Sequence, residues 1–175
     1  MKIKTTVILQ ILRWLAFIAF VGFAIETGAI IISFIVSFRN PDTAKNLYKG
    51  LDLHELKAYG NWVYYVAVVF LAFIAGLKSN VWMNVMTMLS HLKFDNPFSP
   101  DIIKFLKRIS DALIAIWVIG LLYNILAKYL EHKTGNELMN VLAAGNFLFM
   151  AGLVFVIMQV FKRGLEIQSE NELTV

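Results

Sequence analysis

There is no cysteine in this chain, which excludes disulfides, thiolate nucleophiles and cysteine metal sites. Charge is also scarce. Only 16% of the residues are Asp, Glu, Lys or Arg, where a soluble domain carries about a quarter. No G-x-G-x-x-G, P-loop, N-x-[ST] sequon or paired-carboxylate arrangement occurs. The stretch HELKA starting at His54 has Ala58 where a zinc protease needs its second histidine, so that motif fails. His54, His91 and His132 fall in three separate segments, which argues against a shared metal. Ser90-His91-Leu92-Lys93 and Lys133-Thr134-Gly135 fit S-x-x-K and K-T-G by spelling, but no S-D-N accompanies them. The expected topology also separates them across a membrane. These absences make an enzyme the poor hypothesis, and no cofactor is expected.

What replaces the missing charge is apolar length. Of the 175 residues, 59% are hydrophobic and the mean hydropathy is +0.68. The apolar residues gather in four blocks, each near the ~20 helical residues that cross a hydrocarbon core about 30 Å thick. The spans are expected at about 14–38, 62–85, 109–130 and 138–161. The fold class is therefore all-α: a polytopic membrane protein built as a four-transmembrane-helix bundle, one domain over 1–175. Lys2 and Lys4 before the first block imitate a signal peptide. The apolar run continues to Phe38, too long for an h-region, so a retained span is expected.

The connections have their own chemistry. Residues 39–60 form the sizeable loop, where Pro41 stops the first helix. Asp52 is placed to cap a short amphipathic helix running through Lys57 and ended by Gly60. The second span is apolar to Leu77 and then continues as KSNVWMNVMTMLSHL, a helix expected to project beyond the membrane. Asn96-Pro97 favours a turn, Ser99 suits an N-cap, and Pro100 and Asp101 suit the first helical turn. EHKTGNE is a short turn before the fourth span, and segment 91–108 joins spans two and three.

Lys and Arg counts orient the chain. With the N-terminus inside, Lys2, Lys4, Arg13, Lys93, Lys104, Lys107, Arg108, Lys162 and Arg163 share the inner side. Six basic residues fall outside, diluted by acidic ones. Both termini, the projecting end of span two and segment 91–108 are thus expected in the cytosol, and loop 39–60 outside. Trp14 on the inner side, and Trp62, Tyr64, Tyr65 and Tyr129 on the outer, suit the interfacial belts.

Four polar residues fall within or at the edge of the membrane. Glu26 lies about twelve residues into span one, near mid-bilayer at about 1.5 Å per residue. An unpaired charge there costs several kcal/mol, so the side chain should face the bundle, paired or uncharged. Asn146 has similar depth on span four, beside Ala143, Ala144 and Gly145, with Ala151 and Gly152 one heptad on. Small residues at that spacing make a close-packing seam, and a Glu26–Asn146 hydrogen bond is expected. The plain reading of Glu26 is a lock on helix packing, with a proton or cation site and a ligand-sensing pocket as alternatives. Lys78 and Asp111, both near the inner interface, either form a salt bridge or each reach for water.

Two stretches are richer than membrane packing requires: DNPFSPDIIKFLKRIS at 95–110 and FKRGLEIQSENELTV at 161–175. On these residues the chain resembles the bacterial integral-membrane proteins of domain of unknown function 2975. The resemblance rests on Asn96-Pro97-Phe98 before the third span. It also rests on a C-terminal pattern of Phe161, Gly164, Leu165, Gln168, Glu170, Asn171, Leu173, Thr174 and Val175. Glu166-Ile167 separate Leu165 from Gln168, which the family often has adjacent.

The resemblance implies a four-span protein of the bacterial inner membrane, whose gene commonly neighbours that of a small Cro-like helix-turn-helix regulator. The partners it suggests are the lipid bilayer and that regulator, with homo-oligomers compatible and no direct nucleic acid. Asn96, Pro97, Phe98, Gly164, Leu165, Gln168, Glu170, Asn171 and Leu173 are then the partner-facing candidates. The plain alternative is that the NPF segment only fixes the start of span three. The tail, likewise, would only cap the bundle against the extension of span two. A membrane regulator or sensor and a small transporter using Glu26 both stay open, as does a subunit of a larger membrane complex.

Overall fold

The computed structural model describes residues 2–93, 97–134 and 144–173, with side chains over 6–93, 97–133 and 146–171. Every described element is helical. Helix α1 spans Lys2–Ser37, α2 His54–Tyr59, α3 Asn61–His91, α4 Pro100–Thr134 and α5 Ala144–Leu173, with a 3-10 turn at Pro41–Lys45. Four helices are long and apolar enough to cross a membrane. At 30 to 36 residues and about 1.5 Å per residue, each exceeds a hydrocarbon core of about 30 Å. The projection expected for span two is present, since α3 runs unbroken to His91.

The long helices pack in chain order: α1 on α3, α3 on α4, α4 on α5. The consequence shows in burial. In the most apolar window of each helix, 33% of α3 and 39% of α4 is buried, against 11% of α1 and 6% of α5. The two central helices therefore hold the core, and the outer two present most of their surface to lipid. Lipid tails are as apolar as leucine, so an exposed apolar helix here has no drive to bury further.

The loop end is closed by residues 39–60, which fold as a compact cap. Asn40 Oδ1 accepts from the Asp42 N–H (3.1 Å) and opens the 3-10 turn at Pro41. The chain reverses at Lys49 (φ 46°) and Gly50 (φ 84°), where the Leu51 N–H donates to Tyr48 O at 2.9 Å. The mirror-image turn geometry suits glycine at its second position. Asp52 Oδ1 accepts from the His54 N–H (2.8 Å) in a turn just ahead of α2; the N-cap itself is Leu53, with no side-chain cap, so Asp52 does not cap the helix as expected. Ala44, Leu47, Leu51, Leu53 and Leu56 are buried against Tyr64 of α3 and the C-terminal end of α4.

At the same end, Tyr64 OH donates to Ser37 Oγ (2.9 Å), which donates to the Phe34 carbonyl (2.7 Å). The Lys57 ammonium donates to the Ser37 carbonyl and lies over the Tyr64 ring. A cation on the last carbonyls of α1 satisfies acceptors that no helical N–H reaches. The expectation for Tyr64 is corrected here. It is fully buried, because its hydroxyl has a partner inside the protein and needs no water. Trp14, Trp62 and Tyr129 are exposed, as interfacial residues should be.

The other end gathers the start of α1, the end of α3, the start of α4 and the end of α5. Ser99 Oγ accepts from the Ile102 N–H (3.4 Å) and Pro100 is the first residue of α4, as the sequence predicts. Helix α4 continues to Thr134, past the expected end of span three, and the expected start of span four at 138 falls outside the described residues.

Candidate functional site

The two motif-rich stretches meet at this terminal end. Phe98 precedes α4 by two residues, and its ring lies on the backbone of α5 at Gly164. A Cβ on Gly164 would stand 2.7 Å from Phe98 Cδ1 and Cε1 and 2.9 Å from Cγ. A side chain there would force the ring to shift, so Gly164 is favoured by close approach rather than by backbone conformation. The same ring meets Phe161 edge-on, with centroids 5.4 Å apart and planes at 71°, a favoured aromatic geometry. Below this contact Ile102, Leu106 and Met158 are buried together, with Phe161, Met88 of α3 and its C-cap Leu92 packed around them.

The tail thus continues α5 as a helix to Leu173. At Gly164 it meets Phe98, while Met88 of α3 and Leu92 just after it pack against the cluster of Ile102, Leu106 and Met158. Pro97, Phe98, Gly164, Leu165 and Gln168 are half-buried, whereas Glu170 and Asn171 are exposed. Arg163 pairs with Glu166 at 2.9 Å along the exposed side, and Ile167 is exposed beside it. Asn96, Thr174, Val175 and the side chain of Leu173 lie outside the described residues.

The intramembrane polar residues are not brought together. Glu26 is half-buried on α1 and Asn146 exposed on α5. The expected hydrogen bond between them is not made. They match in depth, but α1 packs on α3 and α5 on α4, so two helices intervene. Of the expected small-residue seam, Ala151 is buried and its carbonyl accepts from Ser110 Oγ (3.1 Å), tying α5 to α4. Gly152 instead faces open space, and Ala143 with the side chain of Ala144 lies outside the described residues. Lys78 has its ammonium 5.7 Å from the Phe23 ring centre. Asp111 is exposed, and among the described residues the two form no salt bridge.

Two polar features, Asp111 apart, are not expected from the sequence. Asn80, Met83, Asn84, Arg108 and Asp111 line a depression of about 340 Å³ between α3 and α4. Asn124 Oδ1 is buried in α4 with no hydrogen-bond partner among the described residues. A wider cleft, about 630 Å³, lies between α1 and α3 at the terminal end and is lined by Gln10, Arg13, Trp14, Phe17 and Met86. Among the described residues no cluster of His, Asp or Glu could hold a metal.

The family described as "Protein of unknown function (DUF2975)" matches residues 40–175. The chain belongs to this family. The match takes in α2 to α5, and with them both Phe98 and Gly164. Helix α1 and Glu26 lie ahead of it. No curated protein and no solved structure matches the chain.

Proposed function

We propose that this DUF2975 protein is a non-enzymatic membrane regulator or sensor. In this reading its terminal end faces the cytosol of a bacterium and engages a small helix-turn-helix transcription regulator. The observation that carries the reading is the seat of Phe98 on Gly164. It supports a division of labour between the two motifs. Phe98 is used internally, as the wedge that sets the direction of α5. The exposed side of α5 around Ile167, beyond Gly164, is the surface offered to a partner, an apolar residue among charged ones. An exposed apolar anchor in a polar rim is a common recognition pattern, and one such residue can carry much of an interface. The inner excess of Lys and Arg supports the cytosolic placement.

The test is purification of the full-length chain from native membranes with mass spectrometry of what accompanies it. A helix-turn-helix regulator is expected with the intact chain and lost on deletion of residues 165–175. A regulator that never associates with the solubilised protein, or one that binds the truncated chain equally, overturns the reading.

A further inference from the structure

The depression between α3 and α4 has an unusual inventory. Asn84 is 6% exposed, and its Nδ2 donates both to the Asn80 carbonyl (2.8 Å) and to Asn80 Oδ1 (3.0 Å). These two bonds fix both amides, because only an NH2 can face a carbonyl oxygen. Asn84 Oδ1 is left as an acceptor and Asn80 Nδ2 as a donor, neither with a partner among the described residues. Arg108 and Asp111 lie one helical turn apart on α4 and line the same depression, both exposed. Among the described residues they form no ion pair with each other or with another side chain. The Arg108 guanidinium only leans over the Phe105 ring, at 5.9 Å. The depression thus offers two donors, one of them cationic, and two acceptors, one of them anionic.

Its height on the helices is telling. The apolar run of α3 closes at Leu77, just before Asn80, and that of α4 opens at Ala112, just after Asp111. The depression therefore lies where these helices leave the hydrocarbon, at the level of lipid headgroups. Above Asn80 the same face of α3 carries Phe73 and Val69, both exposed, at seven and eleven residues' spacing. Above Asp111 the same face of α4 carries Ile114, Val118 and Leu122, also exposed. Two apolar stripes lead from the polar depression into the bilayer.

We infer that this depression is the headgroup site of a zwitterionic phospholipid with a primary ammonium, a phosphatidylethanolamine-type lipid. Arg108 and Asn80 Nδ2 donate to the phosphate, Asp111 and Asn84 Oδ1 accept from the ammonium, and the acyl chains lie along the two stripes. A purely anionic headgroup would leave Asp111 facing negative charge. A choline headgroup has no N–H to give to Asp111 or Asn84. Charge-assisted hydrogen bonds are the strong ones in such a site.

Native mass spectrometry of the detergent-purified chain tests this, with phosphatidylethanolamine, phosphatidylglycerol and phosphatidylcholine added in equal amounts. Phosphatidylethanolamine should be retained about tenfold over the other two, the ratio expected for one charge-assisted bond. Asp111→Asn should abolish the preference over phosphatidylglycerol, and Arg108→Gln should weaken retention of all three. Water-soluble glycerophosphoethanolamine should compete at least tenfold less well than the lipid, since it cannot use the stripes. Equal retention of the three lipids by the wild-type chain overturns the inference without any variant. So does a wild-type preference that survives both substitutions, or competition by the soluble headgroup as strong as by the lipid.

Discussion

Phe98 lies against Gly164, closely enough that a single added methyl on α5 would overlap three atoms of the ring. The contact joins the turn that starts α4 to the helix that ends the described chain. Helices α4 and α5 are held along their length by apolar packing and by the Ser110 to Ala151 bond. What Phe98 adds is a close contact beyond that packing, with Gly164 and Phe161 near the end of the apolar part of α5.

Gly164→Ala separates two opposing effects. Alanine in place of a helical glycine stabilises by about 1 kcal/mol, and overpacking against a confined ring destabilises by about 1–3 kcal/mol. Overpacking should win, lowering the unfolding midpoint of the chain in detergent. In a Phe98→Ala background the ring is gone, and the same substitution should raise the midpoint. A Gly164→Ala effect of the same sign in both backgrounds would show that the contact is not made.

The loop cap rests on one hydrogen-bonded corner. Tyr64→Phe removes the hydroxyl that donates to Ser37, and Lys57→Met uncaps the last carbonyl of α1. Each should destabilise by about 1 kcal/mol. Amide exchange over residues 44–56 should rise in both variants, while exchange in the centre of α4 stays unchanged. Unaltered exchange in the cap contradicts this account of the corner.

Asp42 and Lys45 make an exposed pair at 2.7 Å. The hydrogen bond and charge of Lys45 hold the Asp42 carboxyl below its usual range. A lowered native value means the pair stabilises the cap above the ordinary carboxylate range and is lost as pH falls through the lowered value. Solvent screening keeps the effect small. Asp42→Asn should accordingly flatten the acid limb of cap exchange without shifting the unfolding midpoint measurably at pH 7.

Glu26→Gln distinguishes a regulator from a transporter. The side chain has no hydrogen-bond or ion-pair partner among the described residues and lies ahead of the family match. Reconstituted wild-type chain should show no pH-dependent ion flux that the substitution removes. Flux in liposomes that disappears in Glu26→Gln would restore the transport reading.

Much of the fold could be read from residues alone, because hydropathy marks the length of a helix in lipid and proline with its capping residue marks the start. Ser99, Pro100 and the 39–60 loop behave as local chemistry demands. Neighbours are another matter. Two helices in lipid gain no hydrophobic energy by touching, so apolar pattern does not say which pairs form. Depth alone therefore suggested Glu26 with Asn146, and the order α1–α3–α4–α5 keeps them apart. Gly164 and Phe98 stood out as motif residues, but nothing local tells that one is the seat of the other. Asn80 and Asn84 read as an ordinary helix leaving the membrane. Only their bonds to each other leave one amide donating and one accepting.

The central claim is that Phe98 props α5 so that its last turns meet a cytosolic partner. Site-specific photo-crosslinking in living cells tests it most directly, with the probe at Ile167 and a control probe at Phe155, which is exposed along the apolar part of the same helix. The account predicts a crosslink from position 167 to one small soluble helix-turn-helix protein, lost in Phe98→Ala, and only lipid adducts from position 155. Crosslinks from 167 that reach only lipid, or only other parts of this chain, would contradict it.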